Sequence, residues 1–299
     1  MAFNSIRTKI IGGYLLFVFF ILSVLGLNYI LVASTLKKSE SVYKSSEWIR
    51  EEMTAENVFW RQAIAITDYF LTGEDEYKVE FKNYQKTFEA KSNKLEAASK
   101  GASEQLALSQ LRDRYQVFVT KFDRASALYR AGRIAEARQM DLAEIDPIEE
   151  EIEIVLENLL ELRNGDINNV LSEIRAYRRY SNVVPSLVSM INSTEEIRTE
   201  SLALQQTLES EEHFLKQVLA LTEFFTFDEK EQIDEFHKLG ENFRNELSNE
   251  HLFTESPEEV QQLAVIAAKH VAFTDEFTSA VEIYQSGDRA RAPSPSRRR

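Results

Sequence analysis

From Ile10 to Leu36 the chain runs for 27 residues without a charge, between Lys9 and Lys37, and is dominated by Ile, Leu, Val and Phe. At about 1.5 Å of rise per residue, a helix of this length reaches about 40 Å, enough to cross a hydrocarbon core of about 30 Å. The competing reading is a cleaved signal peptide, which has an apolar region of roughly 7 to 15 residues and a small-residue cleavage site. Here the run is longer, and Val32-Ala33-Ser34 is a weak site. The sequence predicts an uncleaved anchor over 10–36, with 1–9 cytoplasmic and the bulk of the chain outside. Basic residues flank both ends (Arg7 and Lys9, then Lys37 and Lys38), so this orientation rests on the shortness of the N-terminal segment rather than on charge asymmetry.

Beyond the anchor, composition narrows the choices. No cysteine is present, so disulfide scaffolds, thiolate metal sites and cysteine nucleophiles are excluded. The formal charge of −14 argues against nucleic acid as a partner, because neutralising phosphates takes a basic face and the one arginine cluster is the last few residues. Only nine glycines and five prolines punctuate 299 residues rich in Glu, Lys, Leu, Ala and Gln, which predicts an all-α chain.

The chain matches itself at an offset of 155. Phe59 aligns with Phe214, Phe70 with Phe225, Phe81 with Phe236, Phe88 with Phe243, Phe118 with Phe273, Phe122 with Phe277 and Tyr129 with Tyr284, as do Gln62 with Gln217 and Thr67 with Thr222. Seven identical aromatic matches at one offset, in a chain only 11% aromatic, predict an internal duplication. Within each copy the apolar residues keep helical spacing, as in Phe81, Tyr84, Phe88 and Leu95. Thr72-Gly73, Lys100-Gly101 and Gly132 supply stops. Asp146-Pro147-Ile148-Glu149 reads as a helix start with Asp146 as N-cap, and Ser256-Pro257-Glu258-Glu259 repeats the logic. The expected helices are 38–72, 75–99, 104–131, 147–182, 187–226, 229–249 and 257–286. Asn182 to Pro185 is either a turn or a kink in one long helix.

Two four-helix-bundle modules are therefore expected, 37–182 and 183–287, the second lacking its last helix. After Gly287 the pattern stops, and 288–299 reads as a disordered basic tail; either the tail is natural or the sequence is interrupted near residue 292, and the repeat logic favours interruption.

No glycine-rich phosphate loop or paired metal-ligand spacing occurs, so neither an enzyme nor a cofactor is expected. His237 and Glu241 are four apart on a helix, but two ligands make no metal site. The acidic run Glu149 to Glu151 is accounted for by a helix N-terminal dipole. Arg50 and Arg61, 11 apart, return to one helical stripe, as do Arg198 and Lys216. These four cations are the candidate ligand-binding residues, since a small anion requires cations aimed at a cleft. The alternative is that they are ordinary solvated charges. Phe59, Phe70, Phe118, Phe122 and Tyr129 are expected in the core.

Arg61, Gln62, Thr67, Asp68, Tyr69 and Phe70, and again Lys216, Gln217, Thr222, Glu223, Phe224 and Phe225, give the chain a duplicated run that resembles the helical bimodular (HBM) sensor domain of bacterial chemoreceptors and sensor histidine kinases. The segment Asp68 to Asp75 also resembles the related CHASE3-type helical sensors. The resemblance implies a single-pass inner-membrane protein with a periplasmic sensing region, working as a homodimer. It implies as partner a small organic ligand such as an organic acid, or a periplasmic binding protein. This chain carries no second span and no output region, so signalling is implied and not contained in it. The alternative function is a structural or adaptor helical membrane protein that binds a protein and no small molecule.

Overall fold

The computed structural model describes residues 2–99, 101–180, 186–228, 230–250 and 257–286, and among them every regular element is helical. In chain order these are α1 (Ala2–Thr72), α2 (Asp75–Ala98), α3 (Ala102–Arg130), α4 (Ile134–Met140), a π-helical turn (Asp141–Ile145), α5 (Asp146–Ala176) ending in a 3₁₀ turn (Tyr177–Tyr180), α6 (Ser186–Phe227), α7 (Glu231–Glu250) and α8 (Pro257–Gln285). The Asn182 to Pro185 junction, the Ser256 cap and the 288–299 tail lie outside the described residues.

α1 carries the apolar run. Its most apolar 18-residue window is 6% buried, and Phe17, Phe19, Phe20, Leu22 and Leu25 are each more than half exposed. A core helix of a water-soluble protein would bury that stripe. This helix is long and apolar enough to span a membrane.

Two compact units divide the chain, and both draw on distant stretches of sequence. The smaller comprises 1–47 and 163–200; the larger comprises 48–162 and 201–299. The expected boundary at 182/183 therefore lies inside the smaller unit's second stretch. In the smaller unit, Lys38 of α1 pairs with Glu173 at 2.6 Å and donates to the Tyr177 hydroxyl at 3.0 Å, while Ser39 Oγ meets Thr194 Oγ1, its counterpart 155 residues on. Val42, Ile167, Leu171, Ile174, Leu187 and Ile191 are buried in this unit.

The larger unit holds the aromatic core, and residues 155 apart make the same contacts. Phe81 and Phe122 lie 4.0 Å apart between centroids at 38°, and Phe236 and Phe277 lie 3.8 Å apart at 34°. Phe59–Phe118 is 5.3 Å at 56°, and Phe214–Phe273 is 5.5 Å at 58°. Tyr129 packs on Phe70 as Tyr284 packs on Phe225. Even the helix stops agree: Gly73 (φ +75°) donates to the Tyr69 carbonyl at 2.8 Å, and Asp228 (φ +61°) donates to the Phe224 carbonyl at 2.9 Å. Both are left-handed caps, the first in the glycine that such φ values favour and the second in an aspartate that tolerates them.

One element departs from expectation. Asp146 is not an N-cap, because α4 runs through the π turn into α5 and the Asp146 amide donates to the Asp141 carbonyl. Pro147 has no amide to continue the ladder, and the register slips by one residue just before it. Glu149 accordingly sits at no free helix N-terminus and is buried, 7% exposed.

Candidate functional site

A cleft of about 490 Å³ opens in the larger unit, and four helices line it. α1 contributes Met53, Glu56 and Trp60; α5 contributes Glu153, Glu157 and Leu160; α6 contributes Glu209, Glu212, His213, Lys216 and Leu219; α7 contributes Glu235, Lys238, Leu239 and Asn242. With Glu223, seven carboxylates face Lys216, Lys238 and His213.

Lys216 is the centre of this arrangement. Its ammonium pairs with Glu212 at 2.5 Å and with Glu153, and lies 4.7 Å from the centroid of the Trp60 ring, within cation–π range. Burial works against its charge, but Glu212 and Glu153 more than offset it and hold its pKa above the ordinary lysine value. His213 shows the same contest: burial lowers its pKa, and the bond from Nδ1 to Glu246 at 2.9 Å reverses this, leaving a net rise.

The 155-residue correspondence makes one absence informative. Arg61 and Lys216 are counterparts, and so are Glu56 and Glu211. Arg61 Nη2 pairs with Glu211 at 2.6 Å. The reciprocal pair of Lys216 with Glu56 does not form, because Lys216 is taken by Glu153 and Glu212. Glu56 is thus 4% exposed, faces the cleft and accepts no hydrogen bond among the described residues. Burial, and then the charge of Glu212, push its pKa well above the usual carboxylate range, with Lys216 acting in the opposite sense. One turn earlier, Glu52 is fully buried and neither carboxylate oxygen has a partner among the described residues. Burial and then Glu56 raise its pKa as well.

A second polar contact crosses each core. Tyr115 donates to Gln62 Oε1 at 2.8 Å, and His270 Nε2 bonds Gln217 Oε1 at 2.8 Å. Gln217 Nε2 also donates to the Phe236 carbonyl at 3.1 Å, whereas Gln62 Nε2 has no partner among the described residues. Gly240 explains the difference: a Cβ there would lie 2.4 Å from Gln217 Nε2, and the counterpart of Gly240 is Gln85.

Of the four predicted cations, Arg61 and Lys216 reach the same helical layer, each committed to glutamate. Arg50 is exposed on α1 in the larger unit, and Arg198 belongs to the smaller unit, half-buried, with a buried Nη1 that has no hydrogen-bond partner among the described residues. Burial lowers the Arg198 pKa. No group of three or more His, Asp or Glu side chains arranged to hold a metal occurs among the described residues, and His237 lies edge-on to Phe236 and Phe277 instead. The glutamates of the cleft were not singled out from sequence, although a signal exists. Glu52 and Glu56 fall on the stripe of Phe59, Ala63, Ile66 and Phe70, at spacings of four and three, where a carboxylate is placed for burial.

No family model, no curated protein and no solved structure matches this chain.

Proposed function

We propose that this chain is the extracytoplasmic, ligand-sensing part of a membrane-anchored receptor of the helical bimodular kind, built by duplication of one helical unit. Residues 1–9 lie in the cytoplasm, 10–36 cross the membrane, the rest is periplasmic, and two identical chains work together. One observation carries the reading: Met53, Glu56 and Trp60 of the cleft stand on the same uninterrupted helix as the apolar run. A cleft occupant that displaces α1 therefore acts on the element that enters the membrane. The agreement of ring geometry at residues 155 apart supports the duplication.

The absence of cysteine makes the test direct. On intact cells, a membrane-impermeant maleimide is expected to label Ser41→Cys and to spare Ser5→Cys; the reverse pattern sinks the outside assignment. The full chain in detergent is then melted against organic acids and amines. A compound that raises Tm is expected to change the rate of disulfide formation in a Ser39→Cys/Thr194→Cys double variant, and an unchanged rate counts against sensing.

A second reading, a structural or adaptor protein, draws on α8, where Val260, Val265, Ile266 and Val271 are 40 to 49% exposed. It predicts a stoichiometric protein partner and no small molecule that raises Tm.

A further inference from the structure

The sensing reading leaves the ligand class open, and the cleft itself narrows it. An anion would meet seven carboxylates, and the two lysines that line the cleft, Lys216 and Lys238, are already paired with glutamate. A bare metal ion fits no better, for no group of three ligands converges among the described residues and Met53, Leu160, Leu219 and Leu239 present hydrocarbon. What the walls match is a cation with an aliphatic body.

Two independent observations point to where its head would sit. Glu56 is nine-tenths buried, faces the cleft and accepts no hydrogen bond, because the partner that the 155-residue correspondence assigns to it has gone to Glu153 and Glu212. A carboxylate so largely withdrawn from water without a donor is costly, and an ammonium ion brings three donors. Trp60 beside it already holds an alkylammonium, that of Lys216, at 4.7 Å from its ring centroid. The site thus has on one wall the chemistry it would use on a ligand.

We propose that the cleft between α1, α5, α6 and α7 binds a small aliphatic amine of the diamine or polyamine class, with one ammonium on Glu56 beside Trp60 and the methylene stem along Met53, Leu160 and Leu219. The proposal rests on the sensing reading only for its consequence; the binding itself stands or falls alone.

Tryptophan provides the readout, since the chain has only Trp48 and Trp60. In Trp48→Phe, full length and in detergent at pH 8, titration with 1,5-diaminopentane or spermidine is expected to shift Trp60 emission saturably. Glu56→Gln is expected to weaken binding tenfold or more while leaving the unliganded Tm equal or higher, because the amide replaces a carboxylate that had no donor. Calorimetry on the unmodified chain gives the same affinity without the Trp48 change. The proposal is overturned if neither amine binds, if Glu56→Gln binds them as tightly as the parent, or if magnesium displaces them at equal charge. If succinate binds and the amines do not, the site assignment fails while sensing stands. If the amines bind through Glu56 and the Ser39–Thr194 crosslinking rate does not respond, the site stands and sensing fails.

Discussion

Gly240 sits in the middle of α7, where alanine would ordinarily gain about 1 kcal/mol of helix propensity. Here the new Cβ would fall 2.4 Å from Gln217 Nε2 and displace it from the Phe236 carbonyl, a bond worth about 1 kcal/mol. Gly240→Ala is therefore expected to leave Tm unchanged or lower it, and a clear gain in a thermal melt would refute the role given to this glycine. The buried acids give a second test. Burial, reinforced by neighbouring carboxylates, raises the pKa of Glu52, Glu56, Asp141 and Glu149 well above the ordinary range. A raised carboxylate contributes stability that is complete below its unfolded value, about 4, and that is lost as pH rises through the folded value. His213, also raised, loses its contribution as pH climbs above its ordinary value. His270, lowered to about 4 by burial and then Arg244, acts oppositely and loses its contribution between about 6.5 and 4. The four acids outnumber it, so Tm is expected to fall from pH 5 to pH 8. Glu52→Gln should flatten that slope and raise stability at pH 8 by about 1–3 kcal/mol.

At the scale of elements, the helices are legible because their apolar stripes are long and glycines follow the first three: α2, α3, α6, α7 and α8 end within a few residues of expectation. What was not legible was the join of α4 to α5. Asp-Pro followed by acidic residues is the pattern of a helix start, and only the packing of Met140 and Ile145, both buried, keeps the chain helical through the proline with a wider turn. The cleft was hidden for a different reason. Lys216 is visible on a stripe with Arg198, but the outcome depends on which glutamate α5 brings to it, a long-range matter that local spacing does not encode. The length of α1 supports one prediction at this scale. Ser41→Pro breaks the helix at an exposed position between the apolar run and Met53, and is expected to cost about 3 kcal/mol. Ligand binding should survive it, measured by titration, while the crosslinking response between Ser39 and Thr194 is lost.

For the whole molecule, the proposed membrane anchorage rests on the apolar surface of α1. Leu22 and Leu25 are 61% and 58% exposed, and arginine at each is expected to cost about 2.5–3.5 kcal/mol of membrane insertion. The Leu22→Arg/Leu25→Arg variant should pass from the pellet to the supernatant on alkaline extraction of membranes; retention in the pellet would show that the run is not the anchor. The internal correspondence bears on what such a molecule can become. Ser39 touches Thr194, its own counterpart, as a residue on the axis of a symmetric pair of chains would touch itself. In such a pair every codon change is made twice and both halves must accept it. On the proposed duplication, one polypeptide holds both halves, so each change is made once. Tyr115 can stay a tyrosine while its counterpart is His270, Gly73 can remain while Asp228 stands opposite, and Arg61 can close its ion pair while Lys216 abandons the matching one. On that reading, covalent linkage turns a constraint into a freedom: one half is left to hold the shape, and the other to depart from it.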